Sequence, residues 1–256
     1  MIDPLNPVEQ RRAVPHEGAR QNVTRHTQEE QSRTQAPQSS WEPWGSDIGY
    51  KPPQHLRIGF HNIQGLPVNC HGPKHRHLRQ DIADFNLDIL GMAELNVNLH
   101  HMRPFQHWKE RFRCFSRHHA NWGTNRHALL KTPRLFGGTA IITMAPISRM
   151  VHESGEDASG LGRWVWTSYK GKNNSILRIV SIYRPVRDTN ANPGTVYSQQ
   201  EAYLLQHNDD RCPRKALLDD LRLILEEWIT QGNNIIVGMD ANENVRIGDT
   251  HRLMTC

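Results

Sequence analysis

The chain has 256 residues, 36% of them apolar, and a formal net charge of +5 at neutral pH. That length supplies one sizeable core, and the mild basic surplus suits a polyanionic partner as well as an ordinary solvated surface. No run approaches the roughly 18 apolar residues of a membrane span, and the opening "MIDPLNPVEQRR" lacks the apolar stretch of a secretory leader, so the expectation is an intracellular protein, nuclear or cytoplasmic, with no membrane partner.

Residues 1–54 are rich in Gln, Arg, Ser and Pro and show no apolar periodicity. Such a segment buries too little surface to offset its ordering entropy and is expected to be disordered. It carries six basic against seven acidic side chains, which leaves 25 against 19 for residues 55–256. The basic surplus therefore belongs to the part expected to fold. The four cysteines, Cys70, Cys114, Cys212 and Cys256, are scattered without a CxxC pair, which favours a reducing compartment over a disulfide framework.

From Leu56 the pattern changes. "LRIGFHNI" alternates and runs into "QGLP", a strand and a turn. "HLRQDIADF" spaces Leu78, Ile82 and Phe85 as one helical face, and Leu87–Glu94 reads as a buried strand. Gly137–Thr143, Arg163–Tyr169 and Ile176–Pro185 are three further strands, the last stopped by its proline. "SQQE" at Ser198–Glu201 has capping-box spacing and predicts a short helix. "RKALLDDLRLILEEWIT" sets Leu217, Leu221, Ile224, Leu225 and Trp228 on one stripe, and "IIVGMD" is a buried strand after it. Strands interleaved with helices predict an α/β or α+β layered domain.

Polar residues fall where these strands end: Asn62 and Gln64, then Glu94, then Tyr183, then Asp240 and Asn242. Any one of them alone is an ordinary turn residue or sheet aromatic. Together they make a set of hard oxygen donors without a thiolate, which suits Mg²⁺ or Mn²⁺ and, through that ion, phosphate chemistry.

The ordered pieces "LRIGFHNIQGL", "LDILGMAEL", "FGGTAIIT", "SIYRP" and "NIIVGMDANEN" resemble the endonuclease/exonuclease/phosphatase family, and within it the apurinic-type endonuclease domain of non-LTR retrotransposons. The resemblance spans about residues 56–250 and implies a sandwich of two β-sheets flanked by helices. It implies a catalytic set of Asn62, Glu94, Tyr183, Asp240 and Asn242, with Asn62 and Glu94 as metal ligands. Tyr183 would bond the scissile phosphate, and Asp240, steadied by Asn242, would orient the attacking water. Ala93 stands where the family has Gln, Val186 where it has Asn, and Met239 separates Gly238 from Asp240. The implied partner is nucleic acid, most simply DNA, with Arg184, Lys74 and Arg76 as contacts.

The family pattern ends with a further strand and an "SDH" stretch. The segment "VRIGDTHRLMTC" does not match it, since Asp249 and His251 follow Asp240 too closely for intervening strands. The expectation is a domain incomplete at its C-terminus and without the catalytic His and Asp that the resemblance implies there, a loss that commonly costs several orders of magnitude in rate and puts activity in doubt. Two other readings stay open. One is a non-catalytic nucleic-acid-binding remnant, with Trp108, Phe112 and Phe115 either as stacking faces or as core. The other is zinc at Cys70, His71, His75 and His77, a spacing that fits no tetrahedral pattern well.

Overall fold

The computed structural model describes residues 48–69, 71–102, 108–115, 117–128, 132–188, 192–244 and 247–250, and a folded unit begins at Ile48. The expectation for the N-terminal segment lies largely outside the described residues. Its last few residues are tied down: Lys51 pairs with Asp88 at 2.9 Å, and the Gly49 carbonyl accepts from Arg57.

The strands in chain order are β1 (Ile58–Asn62), β2 (Ile89–Ala93), β3 (His119–Gly123), β4 (Thr139–Thr143), β5 (Val151–Glu156), β6 (Trp164–Lys170), β7 (Ile176–Tyr183) and β8 (Asn234–Asp240). The helices are α1 (Pro73–Asp84), α2 (Trp108–Arg111), α3 (Val196–Gln206) and α4 (Pro213–Thr230). Two four-stranded mixed sheets form, in the orders β1-β2-β4-β3 and β5-β6-β7-β8. The molecule is a layered α/β domain, as the strand and helix pattern predicts, in the form of the two-sheet sandwich that the resemblance implies.

The period of two explains how the layers stack. Along β2, Leu90 and Met92 face the cluster that contains Leu78 and Ile82 of α1, whereas Ile89 faces Ile141, Val165 and Ile179 between the sheets. Trp164, Val180 and Ile182 on the outer face of the second sheet are covered by Leu217, Leu221 and Trp228 of α4. The sheets approach most closely where glycine permits it. A Cβ on Gly238 would meet the Phe60 ring at 2.5 Å, and one on Gly91 would lie 3.3 Å from Ser181. The Ser181 hydroxyl crosses the same gap and donates to the Met92 carbonyl at 2.9 Å.

Several boundaries differ from expectation for identifiable reasons. Phe85 is not on the buried face of α1 but caps its end, 43% exposed. Asn86 turns left-handed there, and Leu87 N–H bonds the Ile82 carbonyl while Asn86 N–H bonds that of Ala83, a Schellman termination. The cap of α3 is Thr195, whose hydroxyl accepts from Ser198 N–H, so the helix starts before the expected Ser198. β8 is half-exposed rather than buried because it is an edge strand. β3 and β5, also edges, have mixed or mostly polar sequences that carry little apolar alternation.

Phe112 is fully buried and Phe115 packs against the same cluster, so these two rings are core rather than stacking faces. The Trp108 side chain lies outside the described residues. His75 is core as well. Its ring meets Phe112 edge-on, and its Nε2 accepts from the Arg111 guanidinium, which can only donate. Arg111, itself fully buried, also donates to the carbonyls of Pro67 and Val68, pinning the loop after β1. Cys70, on which the zinc reading depends, lies outside the described residues, and among those described no group of three His, Cys, Asp or Glu side chains is placed to hold a metal. No helix among the described residues is long and apolar enough to cross a membrane.

Burial, reinforced by the neighbouring Arg111 charge, lowers His75 from 6.5 to about 4. The folded state therefore holds the ring neutral while the unfolded chain protonates it first. Its contribution is intact above pH 6.5 and is lost as pH falls through 4. Urea unfolding should show a loss of roughly 2–3 kcal/mol across that window from this group, and His75→Gln should flatten the curve there. An unchanged slope in the variant would contradict a buried neutral imidazole.

Candidate active site

Two parallel pairings set the site. β1 runs parallel to β2 with Asn62 opposite Ala93, and β7 runs parallel to β8 with Tyr183 opposite Asp240. Parallel neighbours in register end together. The residues leaving all four strands are thus delivered to one edge of the sandwich, and the close packing of the sheets through Phe60 and Gly238 sets the two edges side by side.

The side chains meet there. Asn62 Nδ2 donates to Asp240 Oδ2 at 2.6 Å, joining the first sheet to the second. Asn242 Nδ2 donates to the Arg184 carbonyl at 2.7 Å, and its second contact is with Asp240 Oδ2 at 3.3 Å. Asn62 Oδ1 accepts from Gln64 N–H at 2.9 Å, which fixes the amide's orientation. The Tyr183 phenol, buried, donates to Glu94. The structure therefore brings together all five of Asn62, Glu94, Tyr183, Asp240 and Asn242.

The backbone here is unusual. Gln64, Glu94, Asn96 and Asn242 all have φ between 46° and 53°. Asn tolerates the left-handed region, but for Gln and Glu it costs on the order of 1 kcal/mol each. Glu94 leaves β2 through that conformation, and hydrogen bonds hold it: its carbonyl accepts from Gly65 N–H at 2.7 Å, and the next residue, Leu95, donates to Gly138. The strain aims the carboxylate.

Electrostatically the site is acidic. Burial, then the Glu94 carboxylate, then that of Asp240 push the Tyr183 phenol well above its ordinary value, so it stays a neutral donor at physiological pH. Among the described residues Asp240 has amides for hydrogen-bond partners rather than a cation. Two carboxylates with an amide oxygen fit a hard divalent ion that keeps several waters. Glu94 and the Asn62 oxygen are the donors that would hold it.

The basic residues divide. Lys74 and Arg76 are exposed on α1, and Lys74 Nζ reaches the Gln64 carbonyl at 3.0 Å, beside the site. Arg184 is different: its side chain is fully buried, so no nucleic acid reaches its guanidinium. It pairs with Glu243 and Asp249, while its backbone N–H donates to the Asp240 carbonyl at 3.0 Å. Burial alone would raise the Glu243 carboxyl, but hydrogen bonds from Thr250 and Arg184 outweigh it and hold the group at about 2. Arg184 is a latch under the loop that carries Asn242.

Sequence reasoning missed Asn96. Its Oδ1 accepts from Gly137 N–H at 2.7 Å and its own N–H donates to the Gly137 carbonyl at 2.9 Å, clamping the loop before β4 to the exit of β2. An Asn two residues past a strand-terminal Glu was the available signal, since Asn is the residue that accepts a left-handed turn.

No family model matches the chain, and no curated protein matches it. Similar solved structures include the 3′ phosphatase NExo from Neisseria bound to a product DNA hairpin, at 14% identity and TM-score 0.47, covering 73% of this chain and 58% of that one. An AP endonuclease from Archaeoglobus fulgidus aligns at 14% identity and TM-score 0.46, over 78% of this chain and 63% of the other. An endonuclease/exonuclease/phosphatase family protein from Leptotrichia buccalis gives 14% and 0.45, over 78% and 73%. The chain spans less than two thirds of the length of the first two.

The contact between Asn62 and Asp240 predicts thermodynamic coupling across the sheets. In a double-mutant cycle of Asn62→Ala and Asp240→Ala, urea unfolding should give an interaction energy of about 0.5–3 kcal/mol. Strict additivity would mean that the two strand ends do not touch in solution.

Proposed function

We propose that this chain is a divalent-metal-dependent phosphodiesterase, using Mg²⁺ or Mn²⁺, that cuts DNA as an endonuclease of the retrotransposon type. The observation that carries the reading is the meeting of Glu94, Tyr183, Asn62 and Asp240 at one sheet edge, with Asn62 bonded to Asp240 and both carboxylates acting on one phenol. The retrotransposon assignment rests on the resemblance of the motif order.

Attack by water on a phosphodiester builds negative charge on the phosphoryl oxygens and needs a positioned nucleophile. The ion held by Glu94 and Asn62 would neutralise the phosphate charge. Tyr183 stays protonated because burial and the two carboxylates oppose its ionisation, so its O–H is available to donate to a phosphate oxygen when substrate displaces its bond to Glu94. Asp240 accepts from Asn62 and Asn242, and these amides fix the carboxylate without neutralising it. So held, it can accept a hydrogen bond from a water placed for attack. Exposed Lys74, tethered beside Gln64, and Arg76 on the same helix supply cationic contacts for the flanking backbone.

The test is conversion of supercoiled plasmid to nicked circles by the full chain. Mg²⁺-dependent nicking is expected, abolished by chelation and lowered about 100-fold or more by Glu94→Ala or by Asp240→Ala. Nicking that survives both substitutions, or DNA binding that is salt-sensitive but never followed by cleavage, would contradict the hydrolytic reading.

A further inference from the structure

Glu94 and Tyr183 line a cleft of about 720 Å³ whose wall is partly apolar. Phe136 stands on it 61% exposed and Val186 57% exposed, two large apolar side chains facing water beside an acidic centre. A metal, a phosphate and a water require none of that surface. The volume falls within the roughly 300–1,000 Å³ of pockets that take small organic groups, and is far too small for a duplex.

The apolar wall is fixed relative to the carboxylate. Gly137, at φ +84°, lies under the first turn of α3 and beside the phenol: a Cβ there would meet Val196 at 3.1 Å and come within 3.6 Å of the Tyr183 ring. The positive φ is what favours glycine here, and the tight approach to Val196 adds to it. The Gly137 peptide is clamped by Asn96, two residues from Glu94. Phe136, one residue before Gly137, is therefore tied by a short hydrogen-bonded path to the residue that would hold the ion. The rim adds a cation: Arg187 lines the cleft and makes no ion pair among the described residues. Polar groups also line it, Asp188 and Thr195, the cap of α3, which donates to the Asp188 carboxylate at 2.8 Å.

We propose that this cleft is a subsite for one unpaired nucleobase, stacked on Phe136 against Val186, with Arg187 on the adjoining phosphate. The inference rests on the phosphodiesterase reading and narrows its substrate to nucleic acid with an unpaired nucleotide next to the scissile bond. A flat ring matches a wall of one aromatic and one branched side chain, and its edge offers hydrogen-bonding groups to the polar rim. An acyl chain would satisfy the wall but carries no charge for Arg187 to meet.

A single-stranded tetranucleotide carrying 2-aminopurine, added to the full chain in EDTA, tests the stacking without any cleavage. Its fluorescence is expected to be quenched, and Phe136→Ala, a change at an exposed side chain, should weaken binding about 5- to 100-fold. Val186→Asp on the neighbouring wall should do the same, and the fully paired duplex should bind at least about fivefold more weakly. Absence of quenching, quenching that Phe136→Ala leaves unchanged, or a Phe136-dependent affinity for phosphatidylcholine vesicles instead would overturn the proposal. In Mg²⁺, Phe136→Ala should lower cleavage beside an unpaired base while leaving a baseless analogue within about twofold. Quenching without cleavage would uphold the subsite and remove the hydrolytic reading; cleavage indifferent to the base would remove the subsite alone.

Discussion

Everything at the site depends on four strands ending at one level. β1 with β2, and β7 with β8, are the two parallel pairs among the described residues, and each pair is in register at its exit. Parallel pairing alone would give two separate edges. The close approach of Phe60 to Gly238, and of Gly91 to Ser181, joins them into one. The Asn62–Asp240 hydrogen bond is the result, a contact between residues far apart in sequence that exists only if both sheets are complete to their last residue.

That convergence is costly in two ways. Carboxylates are gathered near a buried phenol, and non-glycine residues are held in the left-handed region at Gln64 and Glu94. Both costs are met by structure around the site rather than within it. Arg111 anchors the loop after β1 through the carbonyls of Pro67 and Val68, and Arg184 anchors the loop after β8 through Glu243 and Asp249. Two fully buried arginines thus hold the two loops that flank the acidic centre. Strain kept in place by its surroundings, next to groups of one charge sign, is the common condition of a site built to receive a cation.

The central strands were legible because burial on both faces writes itself into sequence as an apolar run. "LDILGMA" and "GGTAIIT" lie in β2 and β4, which are buried throughout. β3 and β5 were not legible, since an edge strand with one wet face tolerates "HANWG" and "VHESGE". The five polar strand ends could be read one at a time, but their meeting could not, because it depends on which strands pair in parallel and on sheet packing. Arg184 shows the limit most clearly. In "SIYRP" it reads as a surface cation, and its partners Glu243 and Asp249 lie some sixty positions onward, with nothing local to announce them. Asn86 and Thr195 are residue types suited to a helix-ending turn and a cap, but the helical spacing of Phe85 and the capping-box spacing at Ser198 drew the boundaries elsewhere.

If Glu94 holds a cation whose hydration shell Asp240 steadies, ion binding must be lost with the first charge and weakened with the second while the fold survives. Titration with Mn²⁺ followed by electron paramagnetic resonance addresses that directly, because free and bound ion are counted separately. One bound Mn²⁺ per chain is expected for the native protein, displaced by Mg²⁺, lost in Glu94→Gln and weakened at least tenfold in Asp240→Asn. Equal binding by all three proteins, or none by the native chain, would contradict the account.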